Sequence, residues 1–290
     1  MIRPQLSYRF SVFCGVLTGL LFFSWGGPSL AAAQTITWDR LGDGLAVGVW
    51  NPPPSCGEVP PFVITDIDPK HYRFVVHYYR NEPVTNPLDI HEWQAKTRHD
   101  VVFNAGLFRE NFSYLGLLYG QGKALGGKRH PSWMGLFVAE PTGSGHPAGI
   151  LDLAVDDFDE QQPGYTEAAQ SLMLLDRTGH VRVKQTGKQS QQTIVAEQHD
   201  GHILVFKTTS VASLHAIGQC LLKAYPAVRQ AMAMDGGSSS EISISPALRQ
   251  AVERSGGTHS WMSLLDTGTT GHIGLPAVIG ISPRRGPIGR

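Results

Sequence analysis

The chain has 290 residues, with 24 Lys and Arg set against 24 Asp and Glu, so its formal charge is zero. A balance this even leaves no electrostatic footprint for nucleic acid or for an anionic membrane surface. Three cysteines in such a length exclude a disulfide-built scaffold, and the fold must rest on a hydrophobic core.

At the start of the chain, Arg3 and Arg9 precede an apolar run from Phe10 to Trp25, and Leu30-Ala31-Ala32-Ala33 follows. A basic n-region, a short h-region and an A-x-A site make a signal peptide cleaved after Ala33. The apolar run is shorter than the roughly 20 residues that a membrane span needs. The expectation is therefore a mature chain of residues 34–290, exported to the periplasm or secreted, with no stable span once the signal is removed. Cys56 and Cys220 remain in it. An oxidising compartment would allow one disulfide, but nothing in the sequence brings their Cα atoms within bridging distance. The reading is two separate thiols, Cys220 buried on a helix face.

Taken in chain order, residues 35–50 alternate loosely around a turn at Gly42-Asp43-Gly44 and read as a strand pair. Five prolines between Asn51 and Pro61 mark an irregular excursion. Phe62–Ile67 and His71–Tyr79 have strand character, and 81–99 is turn-rich before a short helix. Val101–Phe103 is a short apolar strand, Gly-rich connections fill 116–135, and Met134–Val138 is another strand. An acidic loop spans Asp152–Glu160. Strands are expected at Ser171–Leu175, Val181–Val183 and His202–Lys207. Leu214, Ile217, Leu221 and Ala224 recur at helical spacing within 210–225, with Ser210 as N-cap and Pro226 as stop. Leu275–Ile281 closes the chain as a strand. Many short strands with few helices imply a single α+β domain with a mixed or antiparallel sheet and a few flanking helices.

Several motifs fail on spacing. Gly122 to Arg129, GKALGGKR, approaches a phosphate loop, but Arg129 stands where Ser or Thr would hold magnesium, and no helix opens there. Gly120-x-Gly122 lacks the third glycine of a dinucleotide loop. The acidic loop lacks the glycine of a calcium loop. The pairs His71/His77 and His199/His202 lack the helical spacing of a zinc site. Gly236 to Ser240 lacks the G-x-S-x-G spacing of a nucleophile elbow.

Two segments share a layout. Val101–Phe103 runs into Asn104-Ala-Gly-Leu-Phe108, and Ala231–Met234 runs into Asp235-Gly-Gly-Ser-Ser-Ser240. If these strands are neighbours, Asn104 and Asp235 leave one sheet edge together. The Gly236 and Gly237 amides would then form an anion-binding concavity beside a carboxylate, which suits a sugar phosphate. A tight turn capped by Asp235 accounts for the same spacing equally well.

The ordered set of segments resembles the phosphodiester glycosidase family. It comprises the N-x-G-x-F turn at Asn104–Phe108, the strand Gln170-Ser171 to Leu175, Asp200-Gly201 to Val205, and A-x-x-x-D-G-G-x-S-S at Ala231–Ser240. The resemblance covers about 100–281. Two positions depart from the family pattern: the family's arginine is missing from Gln191–Ala196, and Ala233 stands in place of an asparagine. Arg109, Lys123, Lys128 and Arg129 are the cations that could replace the lost charge. The resemblance implies an exported hydrolase that cleaves a sugar-1-phosphodiester of a glycan or cell-surface polymer at the anomeric carbon. Asp235 would act as nucleophile or base with Asn104 beside it, and Glu241 and Glu110 are the weaker candidates for a second carboxylate. Gly236, Gly237, Ser239, Ser240, Gly106, Phe108, Arg109, Gln170, Ser171 and Thr193 would contact the substrate. No cofactor is implied, and a divalent cation is left open. A non-catalytic sugar-phosphate-binding protein of the same fold is the alternative.

Overall fold

Near-continuous apolar runs such as Phe62-Val63-Ile64 and Ile203-Leu204-Val205-Phe206 do not alternate with polar residues, and a strand of this kind needs cover on both faces. The computed structural model, which describes residues 36–256, 260–265 and 271–284, supplies that cover. Fifteen strands form two sheets in which every pairing of named strands is antiparallel, and four α-helices accompany them. The fold is α+β.

The larger sheet takes β1 (Trp38–Gly42), β2 (Leu45–Trp50), β3 (Phe62–Ile67), β12 (Ile203–Thr208), β11 (Thr193–Gln198), β13 (Val228–Ala233) and β10 (Tyr165–Leu175) in that spatial order. The long β10 also carries β6 (Leu118–Gly120) with β7 (Lys123–Ala124), and β8 (Gly135–Pro141) with β9 (Ala148–Asp152). The smaller sheet runs β14 (Ile242–Ile244), β5 (Val101–Asn104), β15 (Ala277–Pro283), β4 (Tyr72–Tyr78).

Successive residues of the central strands serve different cores. Val63, Val195, Val205 and Met232 join Phe74, Val76, Val101, Phe103, Ile279 and Ile281 in a core between the two sheets. Ile64, Ile194, Phe206 and Ala233 face the other way, onto Ile217, Cys220 and Leu221 of α2 (Leu214–Ala224). Beyond the smaller sheet, Val102 and Val278 pack with Ile90 and Trp93 of α1 (Ile90–Thr97). The order of layers is helix, sheet, sheet, helix. The remaining helices are α3 (Pro246–Ser255), capped by the Ser245 side chain, and α4 (Ser260–Leu265).

Several expectations need correction. Cys56 and Cys220 form a disulfide with Cα atoms 4.9 Å apart, not two separate thiols. The prolines around Cys56 turn the chain back over α2, a path that the local sequence does not specify. Helix α2 is capped by Ser213, whose side chain accepts from the Ala216 N–H, and not by Ser210. Its start is delayed because Ala212 pairs as an extended bridge with Ser190. Val181 makes only an isolated bridge to Leu175, so 181–183 is no strand. Strands β9 and β11 and helices α3 and α4 lie in segments read without them. The signal-peptide segment, residues 1–33, lies outside the described residues, and no described helix is long and apolar enough to cross a membrane.

The disulfide joins residues 164 apart in sequence, and cross-links that close long loops restrict the unfolded chain most. Replacing Cys56 and Cys220 together by Ser is expected to lower unfolding stability by about 2–5 kcal/mol. Urea denaturation of the two proteins would measure it. An unchanged midpoint would mean that the α2 packing alone fixes this region.

Candidate active site

Asn104 and Asp235 do meet, but not as neighbours in one sheet. β5 belongs to the smaller sheet and β13 to the larger, and Asp235 to Glu241 is the crossover between them. One side chain holds both ends of that crossover. The buried Asn104 Nδ2 donates to the Asp235 carbonyl at 2.8 Å and to the Ala105 carbonyl at 3.1 Å, while its Oδ1 accepts from the Glu241 N–H at 3.2 Å. Main-chain bonds add to it: the Asp235 N–H donates to the Ala105 carbonyl, and the Asn104 N–H to the Glu241 carbonyl. The Asn104 amide is thus engaged with the main chain on both its donor and acceptor sides.

The crossover is a single 3-10 turn over Gly237–Ser239. Gly237 has φ of 70°, a left-handed conformation that side chains other than glycine's disfavour. Gly236 runs so close to the 191–192 strand entry that an added Cβ would lie 2.8 Å from the Gln191 carbonyl oxygen and from Gln192 Oε1. Both glycine amides are engaged internally. Gly236 N–H donates to Asp235 Oδ1 at 3.0 Å, and Gly237 N–H donates to the Gln191 carbonyl at 2.8 Å. The anion-binding concavity expected from these amides is therefore not formed; the backbone uses them to hold the turn and the carboxylate.

The Asp235 side chain is half-buried, and burial raises its pKa to about 6 against the pull of the Ser239 hydrogen bond, the Gly236 N–H and the Lys188 charge. Lys188, in the loop before β11, is an exposed cation that the sequence reading did not single out. Gln192 occupies the region of the missing arginine, and its Nε2 donates to Ser190 Oγ at 2.7 Å.

The other sequence candidates divide by role. Thr193 and Ser240 are buried and bonded hydroxyl to hydroxyl at 2.9 Å, and Ser171 donates to the Ala233 carbonyl at 2.6 Å. Gln170 is buried with its carboxamide filled by main-chain groups of Leu117, His130 and Trp133. These side chains brace the walls. Phe108 is half-buried and bridges to Tyr114 through the backbone, whereas Arg109 and Glu110 are exposed. The Gly106 N–H donates to the Tyr114 hydroxyl at 3.0 Å, and that hydroxyl donates to the Gln170 carbonyl at 2.8 Å. Tyr114 carries no motif, and only the folded chain shows its role.

The carboxylate of Glu241 is buried and bonded to His272 at 2.6 Å, and one of its oxygens has no hydrogen-bond partner. Burial raises its pKa and His272 opposes the shift, with smaller effects from Asp89 and Lys207. The charges that move Asp235 do not include Glu241. Among the described residues, no group of three or more His, Cys, Asp or Glu is placed to hold a metal ion.

The phosphodiester glycosidase family model matches residues 101–261, more than half of the chain, and this span takes in Asn104, Asp235 and Glu241. The chain belongs to the phosphodiester glycosidase family. No curated protein matches it. Solved structures that share its fold include the following two. A hypothetical protein from Synechocystis aligns over 88% of this chain with 13% identity and a TM-score of 0.58, and this chain spans 65% of that protein's length. The zebrafish N-acetylglucosamine-1-phosphodiester alpha-N-acetylglucosaminidase catalytic domain, auto-inhibited by its pro-peptide, aligns over 86% of this chain and 82% of its own, with 14% identity and a TM-score of 0.52. The match gives the chain a phosphodiester glycosidase fold.

Replacing Asn104 by Ala leaves the Asp235 carbonyl and the Glu241 N–H without their side-chain partner. The expected cost is about 2–4 kcal/mol, from two buried groups left unsatisfied. Asn104→Asp should cost at least as much, because it sets an acceptor against the Asp235 carbonyl. Denaturant midpoints of both variants would measure this. A midpoint equal to wild type would show that the clamp is dispensable.

Proposed function

We propose that the mature protein is an exported hydrolase that cleaves the C1–O bond of a sugar-1-phosphodiester, and that Asp235 is its catalytic carboxylate. The observation that carries the proposal is a half-buried carboxylate, held by Ser239 and the Gly236 N–H at the crossover of a phosphodiester glycosidase fold. Export is supported by the leader pattern of residues 1–33 and by the Cys56–Cys220 disulfide, a bond that oxidising compartments permit.

The chemistry follows from the leaving group. A phosphomonoester departs readily, so breaking the C1–O bond needs little proton donation. The developing oxocarbenium ion needs negative charge beside C1, which ionised Asp235 provides, either by bonding to C1 or by taking a proton from the attacking water. Water supplies the hydroxyl of the released sugar, and the phosphate keeps the bridging oxygen. Glu241, whose side chain bonds to His272, is assigned a positioning role through its main-chain bonds to Asn104.

Asp235 must be ionised for this role. Turnover of an N-acetylglucosamine-1-phospho-sugar is therefore expected to rise as pH passes through about 6 and to level above it. Asp235→Asn should reduce it by about 10³-fold or more, whereas Glu241→Gln should reduce it by about tenfold or less. Equal turnover by wild type and Asp235→Asn would overturn the assignment. The same group affects stability in a definite direction. Its folded pKa lies above the carboxylate value of 3.8, so the folded state holds the proton more tightly than the unfolded chain does. The stability of the protonated form is complete below pH 3.8 and is lost as pH rises through about 6. At pH 7, Asp235→Asn should thus be more stable than wild type, by on the order of 1–3 kcal/mol.

Gln192, in place of the family arginine, favours a second reading, a protein that binds sugar phosphates without turnover. Binding of the same substrate with no release of sugar by wild type would select it.

A further inference from the structure

The turn amides at Gly236 and Gly237 are engaged within the protein, and the family arginine is absent, so any phosphate must be held elsewhere. A cleft of about 820 Å³ opens between the loop that follows β5 and the loop that joins β7 to β8. Arg80, Arg109, Lys128 and Arg129 line it, and among the described residues no Asp or Glu does. The chain as a whole is neutral, so this concentration of cations is local and is not a consequence of overall composition.

The four cations differ in how far they are neutralised. Arg129 is tied to Glu160 at 2.9 Å and to the Phe158 carbonyl. Arg80 is positioned by neutral groups only, its Nε donating to the Tyr79 hydroxyl and its terminal nitrogen to the Asn111 carbonyl. Arg109 and Lys128 have no ion pair with any described residue. Like charges grouped around a concave surface repel one another, and a bound anion removes that repulsion. Lys128 and Arg129 come from GKALGGKR, the segment that fails as a nucleotide loop because no helix follows it. Folding turns it into a wall of this cleft instead.

The cleft is connected to the candidate active site through its floor. Tyr114 lines it, and the Tyr114 hydroxyl takes the Gly106 N–H one residue from the Ala105 carbonyl that binds the Asp235 N–H. We propose that this cleft binds the phosphate-bearing, non-sugar side of the substrate, and that its volume and several separate cations select a chain carrying more than one phosphate, a phosphate-rich glycan or polyol phosphate polymer. A single phosphate fills a small part of the cleft and reaches only some of its cations, whereas ligand sites of this size enclose molecules with several polar groups. The proposal rests on the glycosidase reading for its placement relative to Asp235.

The test uses tripolyphosphate and inorganic phosphate as probes, titrated calorimetrically into the mature protein. Wild type should bind tripolyphosphate about tenfold or more tightly than phosphate, and its affinity should fall between about 50 and about 300 mM salt. The double variant Arg109→Glu/Lys128→Glu should lose about tenfold or more of that affinity. Lys70→Glu/Lys223→Glu, which makes the same change in net charge on exposed residues outside the cleft, should lose less than about threefold. Unchanged affinity in the cleft variant, or an equal loss in the control, overturns the proposal. Equal binding of phosphate and tripolyphosphate overturns its polymer component. If charge reversal abolishes tripolyphosphate binding but wild type releases no sugar from any sugar-1-phosphodiester, the cleft stands and the glycosidase reading alone falls.

Discussion

The arrangement around Asp235 depends on one buried carboxamide. Two antiparallel sheets share a core, and the chain must pass from one to the other between Asp235 and Glu241. Such a passage leaves polar backbone at the edge of an apolar layer, where each unpaired group is costly. Asn104 answers both needs with one side chain, donating at the start of the crossover and accepting at its end. An aspartate has no donor for the first task, and a shorter side chain reaches neither end. The same bonds fix where the Asp235 carboxylate emerges, so the fold and the candidate site share a single constraint.

The crossover also explains why the glycines are needed, and why they do not serve as an anion hole. Gly236 lies against the Gln191 carbonyl, and Gly237 turns through a left-handed conformation to donate to that same carbonyl. A backbone folded this tightly satisfies its own N–H groups, one of them on the Asp235 carboxylate itself. Burial still outweighs these partners and lifts the acid toward neutral pH. A fully solvated aspartate would sit more comfortably but would present less nucleophilic charge to a sugar carbon at the same depth. The strain of an acid placed part-way out of water is local and is borne by a well-paired surrounding frame, including the Thr193–Ser240 and Ser171–Ala233 bonds.

How much of this could be read from the chain differs by element. The hairpin around Gly42–Gly44, the strands read at 62–67 and 71–79 and the end of the helix before Pro226 follow local rules of turn residues and periodicity and stand close to where those rules put them, although the helix begins at Leu214 and not near Ser210. The convergence of Asn104 with Asp235 was legible because both are polar residues at apolar strand ends. That their strands lie in different sheets was not, since period-two patterning identifies a strand's faces and not its neighbours. β11 was missed because its apolar run is short, Ile194-Val195-Ala196 between polar residues, whereas β12 carries the longer run Ile203-Leu204-Val205-Phe206. The disulfide and Tyr114 depend on distant partners, Cys220 lying 164 residues from Cys56, and no local signal encodes such a pairing.

The distribution of charge completes the physical picture. Buried Glu241 pairs with the exposed His272 beside the crossover, whereas the charge that acts on Asp235 is that of Lys188. Arg80, Arg109, Lys128 and Arg129 gather in a cleft that Tyr114 also lines and that, among the described residues, no acid lines. A substrate with a neutral sugar and an anionic remainder matches this separation, because each part meets an environment that favours it. Placing the cations at the carboxylate itself would hold Asp235 ionised at lower pH but would also blunt its charge toward an oxocarbenium ion. Keeping the two apart leaves burial to set the character of Asp235, and a cleft that took the anionic part of a substrate would supply positive charge in a chain where glutamine occupies the region of the usual arginine.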